Sequence, residues 1–238
     1  MGTTIQLGEI SVVVVRKDIK HVHLSVYPPT GNVRISAPSR MKLETIRVFA
    51  LTKLGWIRQQ QKKFRAQERE TPRDYIQRES HYLWGKRYLL TISEADHAPT
   101  IEINHNRVHL EIRPGTDHLK RETILSEWYR DQLREAAAPL IAKWEGILGV
   151  KVASWRIQRM KTKWGSCNTT YKRVLLNLEL AKKPEECLEY IILHELAHLI
   201  ERRHNERFIA ILDHHMPHWR SYRQQLNSLP LDPQSWNH

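Results

Sequence analysis

The segment at residues 190–200 constrains the fold of this chain most, because it carries the sequence His-Glu-Leu-Ala-His at positions 194–198 within an apolar run. Two histidines four residues apart project from the same face of an α-helix, one turn apart. The apolar residues around them can anchor such a helix in a core. Pro184 fits the first turn of this helix, where its missing N–H group leaves no hydrogen bond unmade. The pattern therefore predicts a buried helix with two imidazoles on one face.

Two imidazoles in this arrangement suit a zinc ion, which binds histidine nitrogen at about 2.0–2.1 Å. Glu195 directly follows the first histidine, and in this motif the glutamate takes a proton from water without binding the metal. Catalytic zinc usually holds three protein ligands and leaves one position open. His204, six residues after His198, is the predicted third ligand of a single zinc ion. The spacing lacks the glycine of the metzincin motif, so the chain must return to the metal by another turn.

Other side chains near the motif could take part in the same chemistry. Any of His214, His215 and His218 could replace His204 as a ligand or contact substrate, although a surface or capping role is the simpler interpretation. Glu206 and Asp213 are alternative carboxylate ligands, or partners that orient a metal-bound imidazole. A second electrophile would stabilise the negative charge that develops on a substrate oxygen. The residues chemically able to do this are Arg159, Tyr190, His218, Tyr222 and Arg223.

Charge and cysteine content limit the partners and the compartment. The 238 residues carry a formal net charge of +12, which favours anionic partners such as nucleotides, nucleic acid or acidic proteins. Only two cysteines occur, Cys167 and Cys187, so we expect a reducing compartment, the cytoplasm, with both thiols used in packing. The N-terminal residues show no secretion signal, and the apolar runs are too short to cross a bilayer. We therefore expect no membrane association and a weak nucleic-acid association at most.

The residues before position 118 predict a β-rich region with one helix. Alternating apolar residues predict strands at residues 5–15, 22–27 and 33–36, with a turn at residues 28–32. Apolar residues at helical spacing predict a helix at residues 43–67. Two strands are predicted around a glycine turn within residues 82–90, and two more at residues 100–103 and 107–112.

The residues from position 118 onward predict the half that carries the motif. Residues 119–148 predict one long amphipathic helix that ends at Gly149. Residues 152–163 and 173–180 predict a hairpin around a loop at residues 164–170. The predicted fold is therefore α+β, with a β-rich N-terminal region at residues 1–117 packed on a domain at residues 118–238 that contains the HExxH active-site helix.

Several further segments, together with the HExxH motif, match the pattern of a known protein family. They are residues 159–163, Trp-Gly-Ser-Cys at positions 164–167, residues 177–180, Pro184, His204, Phe208 and Pro217, together with residues 56–57 and 82–85 in the N-terminal half. This set resembles the YgjP-like family of metal-dependent hydrolases, a zincin-type group related to the SprT-like and WLM metallopeptidases. The resemblance spans most of the chain, and its most specific part lies in residues 159–219.

The resemblance implies that residues 118–238 form a minimal zincin-like domain. It also implies one zinc ion held by His194, His198 and His204, with Glu195 as the catalytic residue. It also implies that the strand before the active-site helix borders the substrate cleft, where an extended peptide could add as a further strand. The residues predicted to line the cleft or contact substrate are Arg159, Trp164, Gly165, Ser166, Cys167 and Asn177.

Three functions are compatible with these features. The predicted one is a metallopeptidase acting on peptides or proteins, since the family that the chain resembles is usually described as peptidase-like. The alternative is hydrolysis of a nucleoside triphosphate, because pyrophosphatase activity toward UTP has also been assigned within that family and clustered Arg and Lys bind phosphates. The chain contains no glycine-rich phosphate loop, however. A basic nucleic-acid module with a structural zinc is disfavoured, because a closed structural site needs no glutamate.

Overall fold

A computed structural model describes residues 3–27, 31–66, 74–160 and 163–228 of the chain. These residues form a mixed α+β structure with three sheets. They divide into two compact units, one containing the described residues up to position 66 and the other those from position 74 onward. The predicted boundary between residues 117 and 118 lies inside the second unit.

The first unit is a four-stranded sheet with two helices. Its elements are β1 (Thr3–Leu7), β2 (Ile10–Lys17), β3 (His23–Tyr27), β4 (Asn32–Pro38), α1 (Leu43–Thr52) and α2 (Leu54–Ala66). The strand order is β1-β2-β4-β3, with β2 and β4 parallel and the outer pairs antiparallel. Its core contains Val12, Ile35, Ile46 and Ile57, all fully buried.

Two predictions for this unit were wrong in the same way, because each joined two elements into one. The strand predicted at residues 5–15 is the hairpin of β1 and β2, which reverses at Gly8 with a φ of 64°. Glycine adopts this left-handed conformation without steric penalty. The helix predicted at residues 43–67 is interrupted at Lys53, and position 67 lies outside the described residues. The turn predicted at residues 28–32 falls largely on residues 28–30, also outside them.

The second unit begins with another four-stranded sheet and a long helix. The elements are β5 (Ser80–Leu83), β6 (Lys86–Glu94), β7 (Thr100–Asn104), β8 (Arg107–Ile112) and α3 (His118–Leu148), and the strand order is β5-β6-β8-β7. The strand pair around Gly85, the β7–β8 pair and the long helix are confirmed. Asp117 caps α3 by accepting the Lys120 N–H at 2.8 Å, and Gly149 ends it in the left-handed conformation.

The third sheet differs from its prediction in a way that matters for the site. It contains β9 (Ser154–Gln158), β10 (Gly165–Asn168) and β11 (Arg173–Asn177) in the order β10-β11-β9. The predicted hairpin of residues 152–163 with 173–180 is wrong, because β9 and β11 are parallel and the antiparallel partner of β11 is β10. The Asn168 side chain accepts the N–H groups of Thr170 (3.1 Å) and Tyr171 (3.0 Å), which closes a tight turn within the predicted loop. Residues Leu178–Lys182 form a 3₁₀ helix and do not extend β11.

Three helices complete this unit: α4 (Glu185–Ala197), α5 (Glu206–His215) and α6 (Trp219–Ser228). The helix predicted after Pro184 is confirmed as α4, and Pro184 stands immediately before it. Apolar residues occupy nearly every face of α4, including the fully buried Ile192, Leu193 and Leu196. These buried residues pack α4 against α3, β10, β11, α5 and α6. Among the described residues, no helix combines the length and apolar character that crossing a membrane requires.

Candidate metal centre

Three histidines converge at the end of α4. His194 lies in its last turn, and His198 caps its C-terminus. The Nε2 atom of His204 lies 3.1 Å from Nε2 of His194 and 3.1 Å from Nε2 of His198. Among the described residues, this is the group whose ligand atoms all lie within 4.8 Å of one another. Three imidazole nitrogens therefore point at one small volume.

The return of the chain to His204 is built without a glycine. After α4, tight hydrogen bonds continue from the N–H of Leu199 to the Leu196 carbonyl (2.9 Å) and from the N–H of Ile200 to the Ala197 carbonyl (3.0 Å). Helix α5 begins at Glu206, two residues after His204, and the Asn205 side chain caps it by accepting the Phe208 N–H at 3.1 Å. His204 is thus held between a helix end and a helix cap.

The spacing of the three nitrogens fits a zinc ion. Nitrogens about 2.0–2.1 Å from a common ion at tetrahedral angles would lie roughly 3.3–3.4 Å apart, close to the 3.1 Å separations found here. His198 Nδ1 lies 3.2 Å from the Glu201 carbonyl, to which its N–H can donate a hydrogen bond, leaving Nε2 available for a metal. Burial, followed by the charges of His198, His204 and Arg223, lowers the pKa of His194 to about 3. The neutral imidazole that a metal requires is therefore the stable form.

Phe208 backs all three imidazoles. Its ring centroid lies 5.0 Å from that of His194, 4.7 Å from that of His198 and 4.7 Å from that of His204. Phe208 is 1% exposed, so it closes the inner side of the centre to water. This role was not predicted, since an aromatic residue at helical spacing is most often ordinary core.

The Glu195 side chain is buried against the backbone of Gly165. It is 5% exposed, and a Cβ atom added to Gly165 would lie 2.6 Å from its Oε1 and 2.8 Å from its Cγ. Real Cβ atoms essentially never approach so closely, so the carboxylate occupies volume that only glycine leaves empty. Burial raises the pKa of Glu195 to about 8, against the charge of Lys163, which lowers it.

A cleft of about 540 Å³ joins Glu195 and the three histidines to the third sheet. Four of the residues predicted to line it do so: Trp164, Gly165, Ser166 and Cys167. Three cationic residues also line it, namely Lys163, Arg202 and Arg223. Burial raises the pKa of the Cys167 thiol to about 11, with a smaller contribution from the charge of Glu195, so this cysteine is a neutral wall residue.

Two of the predicted cleft residues lie behind its wall instead. Arg159 donates to Glu122 at 3.0 Å and to the Ser126 hydroxyl at 3.1 Å, and it does not line the cleft. The fully buried Asn177 donates to the carbonyls of Met160 (2.9 Å) and Lys163 (2.7 Å). Asn177 therefore fixes the chain that leads into β10, and its influence on the cleft is indirect.

The alternative metal ligands are placed elsewhere. His214, His215 and His218 line a second cavity of about 480 Å³ together with Trp144 and Glu189. Asp213 accepts the Trp219 indole N–H at 2.7 Å and pairs with Arg220. Glu206 lies in the first turn of α5 and is exposed. None of these side chains belongs to the convergent group that the described residues form.

Comparison with known proteins places this geometry in context. A family model described as YgjP-like, metallopeptidase domain, matches residues 20–229. The crystal structure of the metallopeptidase zymogen abylysin from Pyrococcus abyssi is similar at 23% identity, covering 38% of this chain and 90% of abylysin with a TM-score of 0.36. That of the metallopeptidase zymogen jannalysin from Methanocaldococcus jannaschii is similar at 24% identity, covering 38% of this chain and 86% of jannalysin with a TM-score of 0.35. None of the curated proteins matches the chain.

Proposed function

Because the chain belongs to the YgjP-like metallopeptidase domain family, we propose that it is a zinc-dependent peptidase whose His194, His198 and His204 hold one zinc ion. Glu195 activates the attacking water in this proposal. The observation that carries it is the convergence of three Nε2 atoms, with two separations of 3.1 Å, beside a buried glutamate. In this proposal the part of the chain from α3 onward forms a minimal zincin-like catalytic half.

The edge of β10 offers a place for an extended peptide. The Asn177 N–H donates to the Trp164 carbonyl at 2.9 Å, so the polar backbone groups of Trp164 face β11. In an antiparallel pair these groups alternate along the strand, so those of Gly165 and Cys167 face the open edge of the sheet. A peptide paired with this edge runs along the cleft wall, past Glu195.

The chemistry follows from the groups around the cleft. When bound, zinc supplies a Lewis acid that lowers the pKa of water toward 7 and polarises the carbonyl of the scissile amide. Glu195, in its ionised form, takes a proton on its carboxylate as the water oxygen bonds to the carbonyl carbon. It gives that proton to the amide nitrogen as the C–N bond breaks, so one amide and one water yield a carboxylic acid and an amine. Phe208 and the buried face of α4 exclude other water from the centre.

A comparison of substrates and variants tests the proposal. Zinc-loaded wild type should cleave fluorescein-labelled casein, and Glu195→Gln should reduce this rate by about 10²- to 10⁴-fold while zinc content stays unchanged. Glu185→Gln is the matched control, because Glu185 is exposed in the first turn of the same helix. Its activity should equal that of wild type.

The same preparations decide between a peptidase and a nucleotide hydrolase. Phosphate release from UTP that disappears in Glu195→Gln, without casein cleavage, would replace the proposed substrate by a nucleotide. Equal casein cleavage by wild type and Glu195→Gln would show that Glu195 is not the base.

A further inference from the structure

Amide hydrolysis places negative charge on the carbonyl oxygen as water adds, and peptidases stabilise this charge with a preorganised donor. The sequence offers five chemically suitable donors and no spacing that selects one. They are Arg159, Tyr190, His218, Tyr222 and Arg223.

Three of these candidates are directed elsewhere. Arg159 is engaged with Glu122 and Ser126 behind the cleft wall. His218 and Tyr222 line the second cavity beside Trp144. Only Tyr190 and Arg223 line the same cleft as the three histidines and Glu195.

A series of aromatic contacts places Arg223 beside the centre. Its guanidinium carbon lies 6.0 Å from the ring centroid of Trp219, on the same helix. The Trp219 ring stacks on Tyr190, with centroids 6.1 Å apart, and Tyr190 meets His194 edge-on at 5.8 Å. Leu226, one turn beyond Arg223, also lines the cleft, so this face of α6 forms part of its wall.

Arg223 lines the cleft with an exposed side chain. Within the part of the chain that the structure describes, no carboxylate forms an ion pair with it, whereas Arg220, on the same helix and over the same Trp219 ring, pairs with Asp213. A guanidinium stays charged at all working pH values and presents several N–H donors in a planar fork. Two other cationic residues line the cleft. The charge of Lys163 lowers the pKa of Glu195, so Lys163 lies on the side of the base. Arg202 lies on the turn after His198, outside this series of aromatic contacts.

We propose that Arg223 is a catalytic residue that donates hydrogen bonds to the carbonyl oxygen of the substrate as this oxygen gains negative charge. This inference rests on the proposed peptidase function. The Trp219 ring lies between Tyr190, on which it stacks, and the Arg223 side chain.

Kinetics of three variants give the first test. Arg223→Ala should lower kcat on fluorescein-labelled casein by about 10²- to 10³-fold with little change in KM and in zinc content. Arg223→Lys should recover part of the loss, because a charge returns without the planar fork. Arg220→Ala, which removes a cation from the same ring outside the cleft, should retain wild-type kcat.

Binding of a stable mimic gives a test that does not depend on turnover. A phosphinic pseudopeptide of alanine, acetylated and amidated at its ends, presents an anionic tetrahedral oxygen and no other charge. By calorimetry, Arg223→Ala should weaken its binding by about the same factor as it lowers kcat, and Arg220→Ala should leave its binding unchanged.

Four outcomes would overturn the inference. In the first, Arg223→Ala has wild-type kcat and affinity for the blocked mimic. In the second, the loss in Arg223→Ala appears only with a mimic whose C-terminal carboxylate is free, which would make Arg223 a substrate-binding residue. In the third and fourth, Tyr190→Phe or Arg202→Ala shows the large kcat loss while Arg223→Ala does not. If wild type shows no zinc-dependent casein cleavage, the peptidase proposal is wrong. Binding of the blocked mimic would still test the role of Arg223 in that case.

Discussion

Residues 194–218 contain two groups of three histidines, one at positions 194, 198 and 204 and the other at positions 214, 215 and 218. The imidazole nitrogens converge in the first group and not in the second. In the first group, Nε2 of His204 lies 3.1 Å from Nε2 of His194 and 3.1 Å from Nε2 of His198. In the second group, His214 and His215 are adjacent in sequence and meet edge to face, with centroids 4.6 Å apart. Adjacent helical residues point in different directions, whereas residues four apart share a face. His214 and His218 are also four residues apart, but α5 ends at His215, so these two histidines do not share a helical face. The four-residue spacing brings two imidazoles together only where a helix continues through it, as α4 does up to its cap at His198.

The surroundings of the two groups differ as well. The first is backed by Phe208 and by the buried helix α4. The second borders a cavity in which Lys143 already pairs with Glu189 at 2.6 Å, and His215 packs edge-on against Trp144 at 5.9 Å. A cation entering the second cavity would have to compete with Lys143 for the carboxylate.

The largest expected difference between the two groups is in zinc affinity. His204→Ala should weaken zinc binding by at least about 100-fold, since even the loss of an outer partner of a ligand typically costs 10- to 100-fold. His214→Ala, the matched control, should bind zinc as wild type does. Competition with a fluorescent zinc chelator measures both. Unchanged affinity in His204→Ala, or a loss in His214→Ala, would reverse the assignment of the two groups.

A smaller effect tests the wall of the first group. Gly165→Ala should displace the Glu195 carboxylate and lower kcat on labelled casein by about 10²-fold, because a shift of about 1 Å in a reacting group has an effect of this size. Zinc content should remain that of wild type. The control is Gly146→Ala in α3, where an added Cβ meets no atom within 4 Å.

The outcome with Gly165 separates positioning from general damage. Wild-type kcat in Gly165→Ala would show that the close approach of the strand to Glu195 is not needed. Equal losses of kcat in the two alanine variants would point to a stability effect common to both.

The smallest effect concerns the second group alone. His215→Ala should reduce the free energy of unfolding by about 0.5–1.5 kcal/mol, the usual range for an aromatic pair. Zinc affinity and casein cleavage should not change. Urea denaturation measures the loss, and His218→Ala, at an exposed position, should change stability by less than about 0.5 kcal/mol. A change in zinc affinity in His215→Ala would mean that the two groups are coupled.

The elements that local pattern predicted well are those with long, regular signals. The helix α3 was predicted within one residue at its start, and the hairpin around Gly85 was predicted from its glycine. The failures fall where the signal is short. Residues Gly165–Asn168 carry no alternation of apolar residues, so β10 was predicted as a loop. Its strand conformation comes from pairing with β11, a partner that local sequence does not identify.

The candidate site shows the same division. The i, i+4 spacing of His194 and His198 was enough to predict one shared face, because helix geometry is local. His204 was chosen because it is a histidine six residues after His198. Only the structure shows the turn that brings its side chain back to the other two histidines. Arg159 and Asn177 were expected in the cleft, but their hydrogen bonds direct them behind its wall.

The order of residues along the chain was therefore sufficient to predict two imidazoles on one face of α4 and to propose Glu195 as the base. Folding in three dimensions decided which backbone faces Glu195, which histidines stay apart, and which cations line the cleft. The reason is physical: the periodicity of a helix is contained in a few consecutive residues, whereas the approach of Gly165 to Glu195, or of Arg223 to Tyr190, depends on packing between segments far apart in the chain.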